Sequence, residues 1–271
     1  MKTPRSAFTL MEMLVVVALL GTLAGIGAAG MRAADNMARE QRTRATLAKV
    51  NRFLMEKYAS YQYRRIEMPT MTGTKQELQK ERLKRLRQLQ ISEMPCQWDE
   101  VNGYSPYRLR RAKDIAQRNT NQTGGAANDT WELCSAELLY QIVMGMPEAE
   151  EAFNGLEVAD TDGNGLNEFI DGWGTPIFYI RWPAGYVNTE EGANVTYPVI
   201  SKLQTSIDIR DPFDPNNWEN GYAVFPLIYS CGPDRMRGMN MGASGSAPCV
   251  KLAIGAPEAQ EYFDNITNHN L

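Results

Sequence analysis

From Met13 to Met31 the chain runs for 19 residues without a charged side chain, and Leu, Val and Ala dominate the stretch. That length crosses the hydrocarbon core of a bilayer. In lipid the backbone must satisfy its own hydrogen bonds, so the segment is expected to be a helix. Seven short, polar and basic residues, MKTPRSA, precede the apolar run of residues 8–31, which two threonines and Glu12 interrupt. A carboxylate at the mouth of a spanning segment costs on the order of a few kcal/mol and usually has a partner. A new amino terminus made by a cut before Phe8 would supply a cation. Phe8 and Glu12 lie four residues apart, on one helical face. The pair could form within a chain or between chains staggered along a filament.

Charge divides the rest of the molecule. Residues 1–118 carry 22 Lys/Arg against 11 Asp/Glu, whereas residues 119–271 carry 6 against 21, so a net charge of −4 conceals a basic stem and an acidic head. Such halves suit either packing of head against stem between subunits or two solvated surfaces of different charge. Arg32, Arg39, Arg42, Arg44, Lys49 and Arg52 follow the span, against Lys2 and Arg5 before it. The positive-inside tendency alone would therefore invert the orientation. An even number of cysteines instead favours the large domain outside.

No Gly or Pro occurs from Arg32 to about Tyr61, and Leu47, Val50, Leu54, Tyr58 and Tyr61 recur at helical spacing. One helix is expected from Thr9 to about Tyr63, ended by Met68-Pro69. Thr74-Lys-Gln-Glu77 reads as a capping box before a second helix to about Leu89, with Leu78, Leu86 and Leu89 as its apolar contacts. Its Lys80, Arg82, Lys84, Arg85 and Arg87 lack interleaved aromatics, so a solvated face is preferred to a nucleic-acid site. Residues 119–128 read as a polar linker, and Asp129 or Thr130 caps a third helix ending at Gly145. Residues 176–182 and 222–229 read as strands. The expected class is α+β: a long amino-terminal helix and a globular head with a small antiparallel sheet. Its divisions are residues 1–7 (leader), 8–31 (transmembrane helix), 32–66 (stalk), 67–128 (basic helical insert and linker) and 129–271 (acidic head).

Ala7-Phe8-Thr9-Leu10-Met11-Glu12 resembles the recognition pattern of type IV prepilins and type II secretion pseudopilins: a small residue, a cut, Phe-Thr-Leu-x-Glu, then a long apolar helix. The resemblance implies cleavage between Ala7 and Phe8 by prepilin peptidase, N-methylation of Phe8, and pairing of Glu12 with a neighbouring subunit's amino terminus. Ala7 stands where the family usually has Gly. Asp171-Gly-Trp-Gly-Thr-Pro176 resembles the Asp-Pro-Trp-Gly-x-Pro turn of major pseudopilins, with Gly172 in place of their proline. Tyr229-Ser-Cys-Gly-Pro-Asp234 resembles their Ser-x-Gly-x-Asp segment, and residues 264–269 resemble the carboxyl ends of long bacterial pilin-like proteins. The same resemblance implies a pilin-like fold and a bacterial inner-membrane, single-pass location with the head extracytoplasmic. The partners it implies are other pilin or pseudopilin subunits and an inner-membrane assembly platform.

Residues 160–171, DTDGNGLNEFID, match the twelve-residue spacing of a calcium loop. Asp160, Asp162, Asn164, the Leu166 carbonyl, Glu168 and Asp171 are the expected ligands, and Gly165 permits the sharp turn. Gly172-Trp-Gly-Thr-Pro cannot begin an exit helix, so a complete EF-hand is excluded. Ca²⁺ is the expected ion. Major pseudopilins carry calcium in a loop nearer their carboxyl end, and those ligands are not transferred to this loop.

Of the four cysteines, Cys96, Cys134, Cys231 and Cys249, none forms a CxxC. Two disulfides are permitted, in three pairings. Cys231–Cys249, closing a Gly/Met/Ser-rich loop, is the expected bond. The single histidine, His269, sits near an end expected to fray, which leaves little material for Ser-His or Cys-His chemistry. No Walker loop or HExxH occurs. The expected function is a structural filament subunit, not an enzyme. Two alternatives are an exported calcium-binding protein whose signal is cut after Ala29 and an uncleaved single-span binding protein.

Overall fold

The computed structural model describes residues 10–68, 73–122, 131–182, 213, 225–236, 265–269 and 271. Helix α1 spans Leu10–Ser60 without interruption, about 77 Å at 1.5 Å per residue. Its two halves live in different surroundings. From Leu10 to Ala38 every side chain is exposed, and from Thr43 onward Thr43, Thr46, Leu47, Val50, Phe53, Leu54 and Tyr58 form one buried stripe. Steps of three and four residues keep that stripe on one face.

The helix ends at about Tyr63, as expected: a 3₁₀ turn at Tyr61–Tyr63 closes it, and Arg64 leaves helical geometry at φ −71°, ψ 128°. The reason is Glu93, which lies buried at the end of the next helix. Arg64 reaches it with two guanidinium nitrogens at 3.0 and 2.7 Å, and the Tyr61 hydroxyl donates to it at 3.0 Å. Burial, followed by the Glu93 charge, pushes the Tyr61 phenol far above its ordinary value.

Helix α2, Lys75–Glu93, begins at the expected capping box, with Thr74 and Glu77 satisfying each other's backbone N–H groups. It runs one turn past Leu89, and Gln90, Ser92 and Glu93 continue the face that Leu83 and Leu86 bury. Of its basic run, Lys80, Arg82 and Lys84 are exposed, whereas the Arg87 guanidinium lies over the rings of Trp182 and Phe213. Helix α3, Tyr107–Gln122, has no counterpart in the expected elements, and its carboxyl end occupies the start of the expected linker. Helix α4, Trp131–Val143, has the expected span, and the short α5 is Ala149–Ala152. Pro69, Asp129, Thr130 and residues 222–224 lie outside the described residues.

Among the described residues the head has two small antiparallel sheets. β1 (Val158–Ala159) pairs with β2 (Glu168–Phe169), and β3 (Phe178–Ile180), β4 (Leu227–Ser230) and β5 (Ile266–Thr267) lie in that order. Helix α4 packs against both β2 and β3. The core gathers Leu47, Val50 and Leu54 of α1, Leu138, Leu139 and Val143 of α4, and Tyr179 and Ile228 of the larger sheet. Half of the long helix is thus a wall of the head's own core.

Polar contacts fix that wall. The Glu157 carboxylate accepts from Lys49 Nζ at 2.8 Å and from Thr46 Oγ1 at 3.1 Å. Burial opposes its ionisation, but Lys49, the Asn154 N–H and Thr46 together hold its carboxyl below the usual range. The Lys49–Glu157 pair joins the basic stem to the acidic head within one chain. On the far side, Arg181, 1% exposed, grips Glu100 with two nitrogens at 2.8 and 3.0 Å and the Met94 carbonyl at 2.7 Å. A buried charge is tolerable only when so thoroughly paired.

Cys96 is disulfide-bonded, and Cys134 and Cys231 are both buried. Cys231 follows β4 directly into an interior cluster with Ala136, Phe178, Ile180, Leu227 and Tyr229, which takes its sulfur away from the surface. Cys249, the partner expected for it, lies outside the described residues. The carboxyl end does not fray at His269. The Asn268 amide donates to Asn51 Oδ1 and the Pro226 carbonyl, both at 2.9 Å, and His269 beside it is 2% exposed.

At Gly172 the head meets the stem backbone itself. The Gly172 N–H donates to Thr43 Oγ1 at 2.9 Å, and that hydroxyl donates to the Arg39 carbonyl at 2.9 Å. A Cβ on Gly172 would collide with the Arg39 backbone. Gly172→Ala is therefore expected to destabilise the folded chain by about 2 kcal/mol or more; an unchanged urea midpoint would refute this contact.

Burial pushes the His269 imidazole down to about 4 from 6.5. Its neutral form is the folded form, so its contribution is complete above pH 6.5 and is lost as pH falls toward 4. The loss amounts to about 3 kcal/mol. His269→Gln should flatten that part of a stability–pH profile, and a variant with the same slope as the parent would count against the burial.

Candidate functional site

Glu12 lies in the first turn of α1, on a helix whose apolar window has a mean hydropathy of 2.2 and no buried residue. Leu10, Met11, Met13, Leu14, Leu19, Leu20, Leu23 and Ile26 are all more than half exposed. A helix apolar on every side is stable only when lipid or other apolar helices cover it. Ala7 and Phe8, the expected processing residues, lie outside the described residues.

The second candidate is the loop between β1 and β2. Asp160 folds it: Oδ1 accepts from the N–H groups of Gly163 at 2.7 Å and Asn164 at 3.1 Å, and Oδ2 accepts from Gly165 at 2.8 Å. Gly163 and Gly165 supply φ angles of 76° and 87° that other residues resist. Asn164 Oδ1 accepts from the Leu166 N–H at 2.8 Å, and the Leu166 side chain is buried against Ala112 and Ala116 of α3. Glu168 Oε2 accepts from both the N–H and the hydroxyl of Thr161 at 2.8 Å. Burial, helped by Asp162 and Asp160 and only partly offset by Thr161, pushes the Glu168 carboxyl up to about 7.

Of the six expected ligands, Asp162 and Glu168 come together. Asp171 does not join them. Its Oδ1 accepts from the Trp173 and Thr175 N–H groups at 2.9 Å, and its Oδ2 accepts from Ser230 Oγ at 2.7 Å on β4. This carboxylate closes the turn that seats Gly172 on the stem. The residue that does join, Glu137, belongs to α4, and oxygens of Glu137, Asp162 and Glu168 all lie within 4.8 Å of one another. Linear spacing could not have found it, since it lies more than twenty residues upstream in the middle of an apolar helix.

The model of the prokaryotic N-terminal methylation motif matches residues 2–28. The chain thus carries a prepilin-type methylation motif at residues 2–28. No curated protein and no solved structure matches the chain. In a prepilin this segment is both the peptidase substrate and the membrane anchor. Here its apolar half continues without a break into the helix that walls the head core.

If Asp171 serves only its turn, Asp171→Ala should cost about 3 kcal/mol by stranding its donors, equally in chelator and in millimolar calcium. A loss confined to the calcium-containing sample would return Asp171 to the ligand set.

Proposed function

We propose that this prepilin-like chain is a structural subunit of a type II secretion pseudopilus or a type IV pilus-like filament. The peptidase cuts between Ala7 and Phe8, the Phe8 amine is methylated, and the mature subunit waits as a single span in the bacterial inner membrane with its head outside. An assembly platform then extracts it by packing its apolar stalk against those of other subunits. One observation carries this reading: the matched motif sits at the mouth of an all-round apolar helix, with a carboxylate at its first turn. An amine four residues before that carboxylate neutralises it, in its own chain or a neighbour's. The disulfide at Cys96 supports an oxidising, extracytoplasmic setting for the head. The role is structural, and no step of it requires catalysis by this chain.

Intact mass of protein from its native cell should begin at a methylated Phe8. Retention of Met1, or a start near Gly30, would overturn the reading. Glu12→Ala should insert into the membrane as well as the parent and enter filaments ~10-fold less or worse, the penalty of an unpaired terminal cation. Normal incorporation would sink the pairing.

A further inference from the structure

Three carboxylates from three separate elements meet beneath the β1–β2 loop: Glu137 from α4, Asp162 from the loop and Glu168 from β2. We propose that Glu137, Asp162 and Glu168 together hold one hard divalent cation, Ca²⁺ in preference to Mg²⁺, and that the ion fastens α4 to the hairpin leading into the stem contact. This goes beyond the filament reading and does not depend on it.

Geometry is the first support. Opposite oxygens around Ca²⁺ at about 2.4 Å lie about 4.8 Å apart, and these three lie within that distance of one another. Mg²⁺ demands near-ideal octahedral geometry and sheds its water reluctantly, so side chains brought together from three separate elements suit the more tolerant Ca²⁺. The second support is independent of the clustering. Glu168 has no exposed surface, and while its Oε2 has two donors from Thr161, its Oε1 has no hydrogen-bond partner among the described residues. A fully buried carboxylate oxygen in that state is expensive unless a cation or a proton meets it. The third concerns Asn164, whose Nδ2 donates both to Glu137 Oε1 and to Asp162 Oδ2. The two carboxylates therefore already converge on one hydrogen-bond donor. All three donors are hard oxygens, and the group includes neither Cys nor His, so a softer transition metal is disfavoured.

The ligand set differs from the one the twelve-residue spacing implies. Asp160 is committed to three backbone N–H groups and Asp171 to the turn beyond β2. The ion would therefore brace tertiary structure. β2 ends at Phe169, three residues before the Gly172 contact with the stem, so holding β2 to α4 also steadies the head on its helix.

The test uses the full chain in detergent micelles, stripped with chelator and titrated with CaCl₂ or MgCl₂ by calorimetry, with thermal unfolding in parallel. The expected result is one Ca²⁺ per chain, a raised Tm, and weaker binding of Mg²⁺. Glu137→Gln should weaken Ca²⁺ binding ~10-fold or more by removing a charged ligand. Glu168→Gln keeps the shape and removes the buried charge, so it should hold or raise the Tm in chelator while abolishing the calcium shift. That combination separates lost binding from lost folding. Absence of heat and of any shift with either ion would overturn the proposal. So would Glu137→Gln binding calcium like the parent, which would confine the site to the loop, or tighter binding of Mg²⁺ than of Ca²⁺.

Discussion

A single helix carries two incompatible surfaces, and the rest of the molecule is arranged around that fact. The first half of α1 is apolar on all sides, so water is excluded as its surroundings and only lipid or other stalks remain. The second half has one apolar stripe and a polar back, the pattern of a helix that closes a soluble core. The described helix contains no break between them. Whatever holds the first half is consequently connected through one unbroken helix to the core that Leu47, Val50 and Leu54 wall.

A head seated on such a lever must resist being peeled from it. Apolar burial along the stripe supplies most of the adhesion, at roughly 25 cal/mol per Å², but it is non-directional and permits sliding. Direction comes from polar contacts spread along the helix: Gly172 to Thr43, Glu157 to Thr46 and Lys49, and Asn268 to Asn51. They come from the turn after β2, the approach to β1 and the carboxyl end. Three segments remote in sequence thus meet one helix over about two and a half turns, and register is fixed without any one bond being strong.

Legibility in the sequence follows physical locality. The long helix, the Thr74 capping box, α4 and the strands around Phe178 and Leu227 express themselves through period and through neighbours a few residues away. Helix α3 is hidden because its buried face is Leu109, Ala112 and Ala116, and two alanines give almost no hydrophobic signal beside Arg110, Arg111 and Lys113. The setting of Cys231 is hidden for a different reason: β4 directs it into the interior cluster, which spacing along the chain does not reveal. His269 misleads through position alone, since β5 draws the last residues into the sheet. In the acidic loop, the turn-forming roles of Asp160, Gly163 and Gly165 are local and readable; the arrival of Glu137 is tertiary and is not.

Gly172 shows how such a tertiary demand can nonetheless leave a mark. Major pseudopilins, whose turn the segment Asp171–Pro176 resembles, have proline at that position, and proline carries no N–H. In this chain the N–H is needed by Thr43, and any side chain there would meet the Arg39 backbone. Glycine is the one residue that keeps the donor and omits the Cβ. The departure from the resembling motif is therefore what lets the turn lie flat on the stem. Asp171, by accepting from two further amides of the turn and from the Ser230 hydroxyl, holds that glycine at the depth the contact requires.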